Sequence, residues 1–312
     1  MSDTMAGLRR KIGGASDLQS VVRTMKALAA SNIGQYERSV GALSDYARTV
    51  ELGLSVAFRG TRPAAPMADP RKPAGAGAVG AVVFGSDQGL VGQFNEAVAD
   101  HAVTFLADLP GQSRVVAVGE RVHRLMEDAG LRPAGFFPVP NSVNAVTPLV
   151  GRILLQSETW LGSGEIDELH LFYNRPASMA AYAPASIRLL PLDETWRSAL
   201  ARLPWPTGNL PEVLGSGTAT LRALVREHLF VSLFRACAES LAAENASRLA
   251  AMQRAEKNIG ELLEELNRRY HQLRQSGIDE ELFDVISGFE ALSGERPAGN
   301  AAASPDRMGG TG

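Results

Sequence analysis

Apolar positions near the start of the chain recur by threes and fours. Leu8, Ile12, Ala15, Leu18, Val22, Met25, Ala29, Ile33, Tyr36, Val40, Leu43, Ala47, Val50, Leu54 and Ala57 form one continuous stripe. That period predicts a coiled-coil seam on a single long helix. At 1.5 Å per residue some 55 residues would extend about 80 Å, too long for the interior of a compact domain. Gly13, Gly14, Gly34, Gly41 and Gly53 oppose the helix at up to ~1 kcal/mol each, which packing along a partner can outweigh. The other end of the chain repeats the pattern through Leu221, Leu224, His228, Val231, Phe234, Ala238, Leu241, Asn245, Leu249, Met252, Ile259, Leu263, Leu266, Tyr270 and Leu273. Leu282, Val285, Ile286 and Phe289 continue its apolar face. Two long helices with one seam each pair most simply as an antiparallel coiled coil; the alternative gives each a bundle of its own.

Between them the period changes. Residues 78–84, 114–118, 136–139, 168–173 and 186–190 read as strands, with helical stretches near 90–108, 120–129 and 143–161. Alternating strand and helix predict an α/β domain around a largely parallel sheet, Rossmann-like and inserted between the halves of a helical rod. Pro63, Pro66, Pro70 and Pro73 mark one linker, and Pro204, Pro206 and Pro211 another. The expected organisation is a helix over 1–58, a linker over 59–77, an α/β domain over 78–203, and a linker with the second helix over 204–293. The tail over 294–312 has too little apolar content to fold and is expected to be disordered.

Composition narrows the function classes. The 312 residues carry a net charge of -3, which argues against a general nucleic-acid coat. A single cysteine, Cys237, excludes an internal disulfide framework and a thiolate zinc cluster. No apolar run approaches the ~18 residues of a membrane span, and the N-terminus lacks the layout of a signal peptide. The chain reads as cytoplasmic, with any membrane association indirect.

Candidate chemistry is sparse. Gly85-Ser86-Asp87-Gln88-Gly89-Leu90-Val91-Gly92 joins the first strand to a helix and could cradle a phosphate on backbone N–H groups. It lacks both the G-x-G-x-x-G and the G-K-[ST] spacing, so a tight turn with Ser86 or Asp87 capping the following helix is the simpler reading. His101, His123, His170, His228 and His271 are scattered without metal-ligand spacing, so neither a metal nor a cofactor site is expected. No G-x-S-x-G occurs, and Asp279, Glu280, Glu281 and Asp284 read as a solvated helix face. Arg9, Arg10, Lys11, Arg23 and Lys26 make the start of the first helix basic, a stripe able to meet nucleic acid, acidic lipid or an acidic protein.

Three blocks of the text resemble one family. Leu8-Arg9-Arg10-Lys11-Ile12 with Thr24-Met25-Lys26-Ala27-Leu28-Ala29-Ala30-Ser31, the run GSDQGLVGQFN from Gly85 to Asn95, and ESLAAENASRLAAMQRAEKNIGELLEELNRRYHQLRQSGIDEELFDVISG from Glu239 are similar to the gamma subunit of F-type ATP synthases. They lie in the family's order and spacing, over residues 1 to 293. The resemblance implies a non-catalytic rotor shaft that couples ion flow through a membrane sector to ATP synthesis or hydrolysis in a catalytic ring. Implied partners are the alpha and beta subunits of that ring, the epsilon subunit and the membrane rotor ring of c subunits. The implied location is peripheral, on the cytoplasmic face of the bacterial inner membrane. The competing reading is a Rossmann-like nucleotide-binding enzyme with helical extensions; a coiled-coil scaffold for nucleic acid is the third.

Carried over by motif, Met25 and Lys26 are expected to face the acidic lever of each catalytic subunit. Arg274 and Gln275 match a polar pair that meets a loop of the ring, and Glu244 and Arg248 match the family's coupling region. The mostly apolar run from Val285 to Leu292 matches the end turning in the bearing. The net charge, Val91 where cysteine is frequent, Asp279 where threonine is often found, and the added tail suggest a divergent branch, such as an alternative F-type ATPase.

Overall fold

The computed structural model describes residues 4–60, 78–109, 113–177, 182–209, 211–212 and 216–294, so most of the first linker and the tail from 295 lie outside it. Helix α1 runs over Met5–Gly60 and helix α6 over Gly217–Gly294. Between them come β1 (Val79–Phe84), α2 (Phe94–Ala107), β2 (Ser113–Val118), α3 (Glu120–Asp128), β3 (Gly135–Phe137), α4 (Val143–Gly162), β4 (Glu168–Arg175), β5 (Ala183–Leu190) and α5 (Glu194–Ala201). Two compact units divide the chain: Val21–Glu256, and the two ends Met1–Ser20 and Lys257–Gly312.

Within Val21–Glu256 the sheet has the order β3-β2-β1-β4-β5. β1 pairs in parallel with β2 and β4, and β2 in parallel with β3. β5 pairs antiparallel with β4, so the sheet is mixed. The connection from Arg175 to Ala183 is too short for the crossover that a parallel neighbour needs. β1 is buried along its whole length because both faces of the sheet are covered. One face packs Val79, Ala81 and Val83 with Val98, Ala102, Val122 and Met126 of α2 and α3. The other packs Val82, Phe84, Val116 and Leu171 against α4 and against Val50 and Leu54 of α1 and Leu229 and Leu233 of α6.

The two long helices pair antiparallel in this unit. Lys26 meets Glu256, Asn32 meets Asn245 and Tyr46 meets Glu227, so each step up α1 is a step down α6. The expected seam on α1 is buried or half-buried at each position except Leu18, which is 53% exposed. Gln19 is half-buried instead, a local drift of the stripe by one residue. α6 is buried on every side at residues 236–245, where α1 lies on one side and the sheet domain on the other. Beyond Leu273 the expected apolar face is open: Leu282, Phe283, Val285 and Phe289 are more than half exposed.

Two local readings change. The helix expected near 90 begins at Phe94, because residues 85–93 form a hydrogen-bonded turn. Helix α5 was not anticipated from period alone, although Asp193 caps it by accepting from the Thr195 N–H at 2.9 Å. Leu54, wholly buried among the two long helices and the sheet, should cost about 2–5 kcal/mol on truncation to alanine. Leu18→Ala should stay within about 0.5 kcal/mol; denaturant melting of the full chain compares the two.

Candidate functional site

Where α1 and α6 pass the carboxyl ends of β1 and β3, they enclose one side of a groove of about 310 Å3. Met25, Leu28, Asn32 and Tyr36 come from α1, Glu244, Asn245 and Arg248 from α6, and Asp87, Gln88 and residues 139–141 from the turns. The groove lies wholly within Val21–Glu256.

The turn after β1 is shaped from inside. Asn95, buried in the first turn of α2, accepts the Ser86 N–H at 2.8 Å and donates to Ser86 Oγ at 2.8 Å. Gly85 gives its N–H to the Val118 carbonyl. Asp87 caps not α2, as expected, but α3: one oxygen accepts the Glu120 N–H at 2.9 Å, and the other accepts the Val139 N–H at 3.0 Å. The carboxylate therefore ties three segments to the edge of the groove. Gly119, at φ +118, lets α3 approach so closely; a Cβ there would lie 2.8 Å from the Ser86 backbone.

These contacts weaken the phosphate-cradle reading. The Gly85 N–H is spent on the Val118 carbonyl and the Ser86 N–H on Asn95, while the Asp87 carboxylate already takes the N–H groups of Glu120 and Val139. Among the described residues no cluster of histidine, cysteine, aspartate and glutamate could hold a metal ion.

On the helices, Glu244 and Arg248 pair at 2.6 Å one turn apart, both largely buried. Burial pushes the Glu244 carboxyl above its ordinary range, with Arg248 pulling the other way. Burial, then the Glu244 charge, lifts the Tyr36 hydroxyl to about 12, so it stays protonated. Asn32 donates to Asn245 Oδ1 at 3.3 Å, a polar contact set into an apolar seam. Cys237 is fully enclosed and its thiol is pushed far up by burial, which removes it from nucleophilic chemistry.

Of the six residues singled out by motif, Met25, Glu244 and Arg248 line this groove. Lys26 follows Met25 on α1 but turns to Glu256, at 2.5 Å, with Arg23 on the second carboxylate oxygen at 3.0 Å. Arg274 and Gln275 belong to the other unit, both exposed on α6. The sequence reading had Tyr36 and Asn245 only as seam positions and Asp87 only as a cap of the following helix, not as groove residues. The expected cap of α2 is overturned, because the partners of Asp87, Glu120 and Val139, are distant in sequence.

A family model described as ATP synthase matches residues 4–292. The ATP synthase gamma chain of a Nocardioides species is 27% identical over 94% of this chain and 98% of its own length. That of Methylobacterium nodulans is 28% identical over 93% and 99%. Among solved structures, a chain of the Euglena gracilis mitochondrial ATP synthase (OSCP/F1/c-ring) aligns over 96% of this chain and 98% of its own, with a TM-score of 0.63 at 17% identity. A chain of the Tetrahymena thermophila mitochondrial ATP synthase central stalk and c-ring covers 75% of this chain and 99% of its own, with a TM-score of 0.52 at 18% identity.

The pairing of Glu256 with Lys26 and Arg23 gives a pH signature. Those two cations hold the carboxyl below its ordinary 4.5. A folded-state pKa below the unfolded one means that the unfolded chain takes up protons first as pH falls. The pair's contribution is therefore present above about pH 4.5 and lost as pH drops through the lowered value. Glu256→Gln should flatten stability against pH below 4.5, in denaturant melts at low salt.

Proposed function

This chain belongs to the gamma-subunit family of ATP synthases, and we propose that the groove and the open end of α6 are its two working contacts with the catalytic ring. It is a non-catalytic central-stalk subunit, and ATP synthesis and ion transport follow from the complex rather than from its own residues. Among the described residues no helix is long and apolar enough to cross a membrane, in keeping with a peripheral subunit of a membrane complex. Bacterial relatives support the cytoplasmic face of a bacterial inner membrane as its place. Its partners in this reading are the alpha and beta ring subunits, the epsilon subunit and the c-ring.

One observation carries the mechanical reading: within Val21–Glu256, α1 and α6 pair as antiparallel helices with the sheet domain clamped to them. A lone helix twists and frays, whereas two helices locked along a seam share load. The clamp at residues 236–245 leaves no free face about which α6 could turn within the domain. Torque entering at the sheet therefore passes to the helix pair.

Contacts that must be made and released in every cycle have to be weak. Exposed ion pairs are worth about 0–1 kcal/mol, so Lys26 can exchange Glu256 for an acidic group of the ring and the exposed Arg274 can make a passing contact there, with Met25 and Gln275 beside them. Glu244 and Arg248, being buried and paired, act as the firm bed beneath. The exposed Phe283, Val285, Ile286 and Phe289 suit an end that turns in an apolar sleeve without polar traps. The division into helix 1–58, linker 59–77, α/β domain 78–203, linker and helix 204–293, and tail 294–312 follows the same logic of shaft and foot.

Tagged full-length chain should bring down the ring subunits and ATPase activity from native membranes, activity that the chain alone lacks. Recovery of the chain alone, or its stabilisation by nucleotide without partners, would overturn the reading. Replacing Arg274 and Gln275 together by alanine should leave melting unchanged and lower ATP-driven ion pumping by up to about fivefold, as expected for losing one exposed contact.

A further inference from the structure

We infer that Glu239 is a positioning residue which fixes the rotational setting of α6 on the sheet domain and keeps it fixed when the shaft turns under load; this rests on the rotor reading above. Where α6 crosses the sheet domain it gives Ala236, Cys237, Ala238 and Ala242 to the shared core, with Leu241 as their larger neighbour. Small side chains let two elements approach closely, but they make low ridges, and ridges set into grooves are what resists a twist. Packing on every side keeps this stretch in place without giving it much grip. Glu239 lies in the middle of the stretch and is only 9% exposed.

A buried carboxylate needs partners, and those of Glu239 come from two directions. Along α6, Arg235 donates to Oε1 at 2.8 Å. From β4, the Tyr173 hydroxyl donates to Oε2 at 3.1 Å, and Arg175 Nε stands 3.5 Å from the same oxygen. Arg175 also donates to the Tyr173 hydroxyl, at 2.8 Å from Nη2. Tyr173 is fully enclosed, and burial holds its hydroxyl above the ordinary 10.0, with Arg175 pulling the other way, so it remains a donor. β4 is itself hydrogen-bonded to β1 and β5, so a twist of α6 that pulls on Glu239 pulls on three strands. Hydrogen bonds have direction, and they resist the sideways shift that apolar contacts allow. Ser247 adds one neutral hydrogen bond, to the Val91 carbonyl, and Arg226–Glu158 is an exposed and therefore weak pair. Stability alone does not call for the carboxylate, since apolar residues of similar size serve a core as well as a buried ion pair does. The use of a charge at this place is to hold position.

Glu239→Leu with Tyr173→Phe removes both partners and keeps their shapes, so melting of the full chain should hardly change. Assembled with its partners in sealed vesicles, the double variant should hydrolyse ATP at the ordinary rate. Ion uptake per ATP, read before a gradient builds, should match that of the unaltered complex. Against the full gradient the junction twists further, the helix pair lags the foot, and ATP is spent without a completed step. ATP hydrolysed without ion movement should then rise about tenfold, the change expected for losing a hydrogen-bonded charge. Glu239→Gln, which keeps an acceptor for Tyr173, should retain coupling. Full coupling of the double variant against the gradient would overturn the inference. So would a loss already complete before the gradient builds, a loss that tracks a fall in melting, or equal slippage with Glu239→Gln. If the unaltered chain supported no ion pumping, the rotor reading itself would fall, and this inference with it.

Discussion

Tyr36, Val50 and Leu54 of α1 and Leu229, Leu233 and Leu241 of α6 are kept from water by one another and by the sheet beside them, and the Val21–Glu256 unit is arranged around that shared burial. Neither helix has the means to stand alone. α1 carries glycines that weaken an isolated helix, and α6 has a stretch that is buried on every side. The hydrophobic effect therefore sets the pairing, and it sets the place of the sheet domain too, since α4 and the helix pair cover the same face of the sheet.

Polar groups inside that apolar region do a different job. An Asn–Asn contact and a buried Glu–Arg pair stabilise less than leucines would in their place, but they have geometry, and apolar side chains slide more freely past one another. Asn32 opposite Asn245 marks one register among the several that a repeating seam would accept, with the Glu244–Arg248 pair of α6 beside it. They lie at the level of the groove, where an error of one turn would carry Met25 away from its neighbours.

Much of this was legible in the sequence. The helical period of α1 and α6 identified the pair, and strands β1, β2 and β4 appeared as short β-rich runs close to their observed bounds. Period failed where tertiary contacts override it. Leu18 fits the stripe but faces water, and the run beyond Leu273 keeps its apolar rhythm with its side chains exposed. The antiparallel β5 is a matter of loop length more than of strand composition. Three of the groove's residues could be reached through motifs, because Met25, Glu244 and Arg248 lie in long recognisable blocks. Asp87 could not be placed, since its partners Glu120 and Val139 are distant in sequence and are brought to it only by the sheet.

The contrast between two stretches of α6 bears on how freely each can vary through descent. From Ala236 to Asn245 each side chain has a neighbour that fixes its size, so a change there demands a matching change on α1 or on the sheet. From Leu282 to Phe289 no described neighbour sets a size, and only apolar character is asked of the positions. Over long divergence the first stretch should change in concert with distant partners, whereas the second should drift one residue at a time among leucine, valine, isoleucine and phenylalanine.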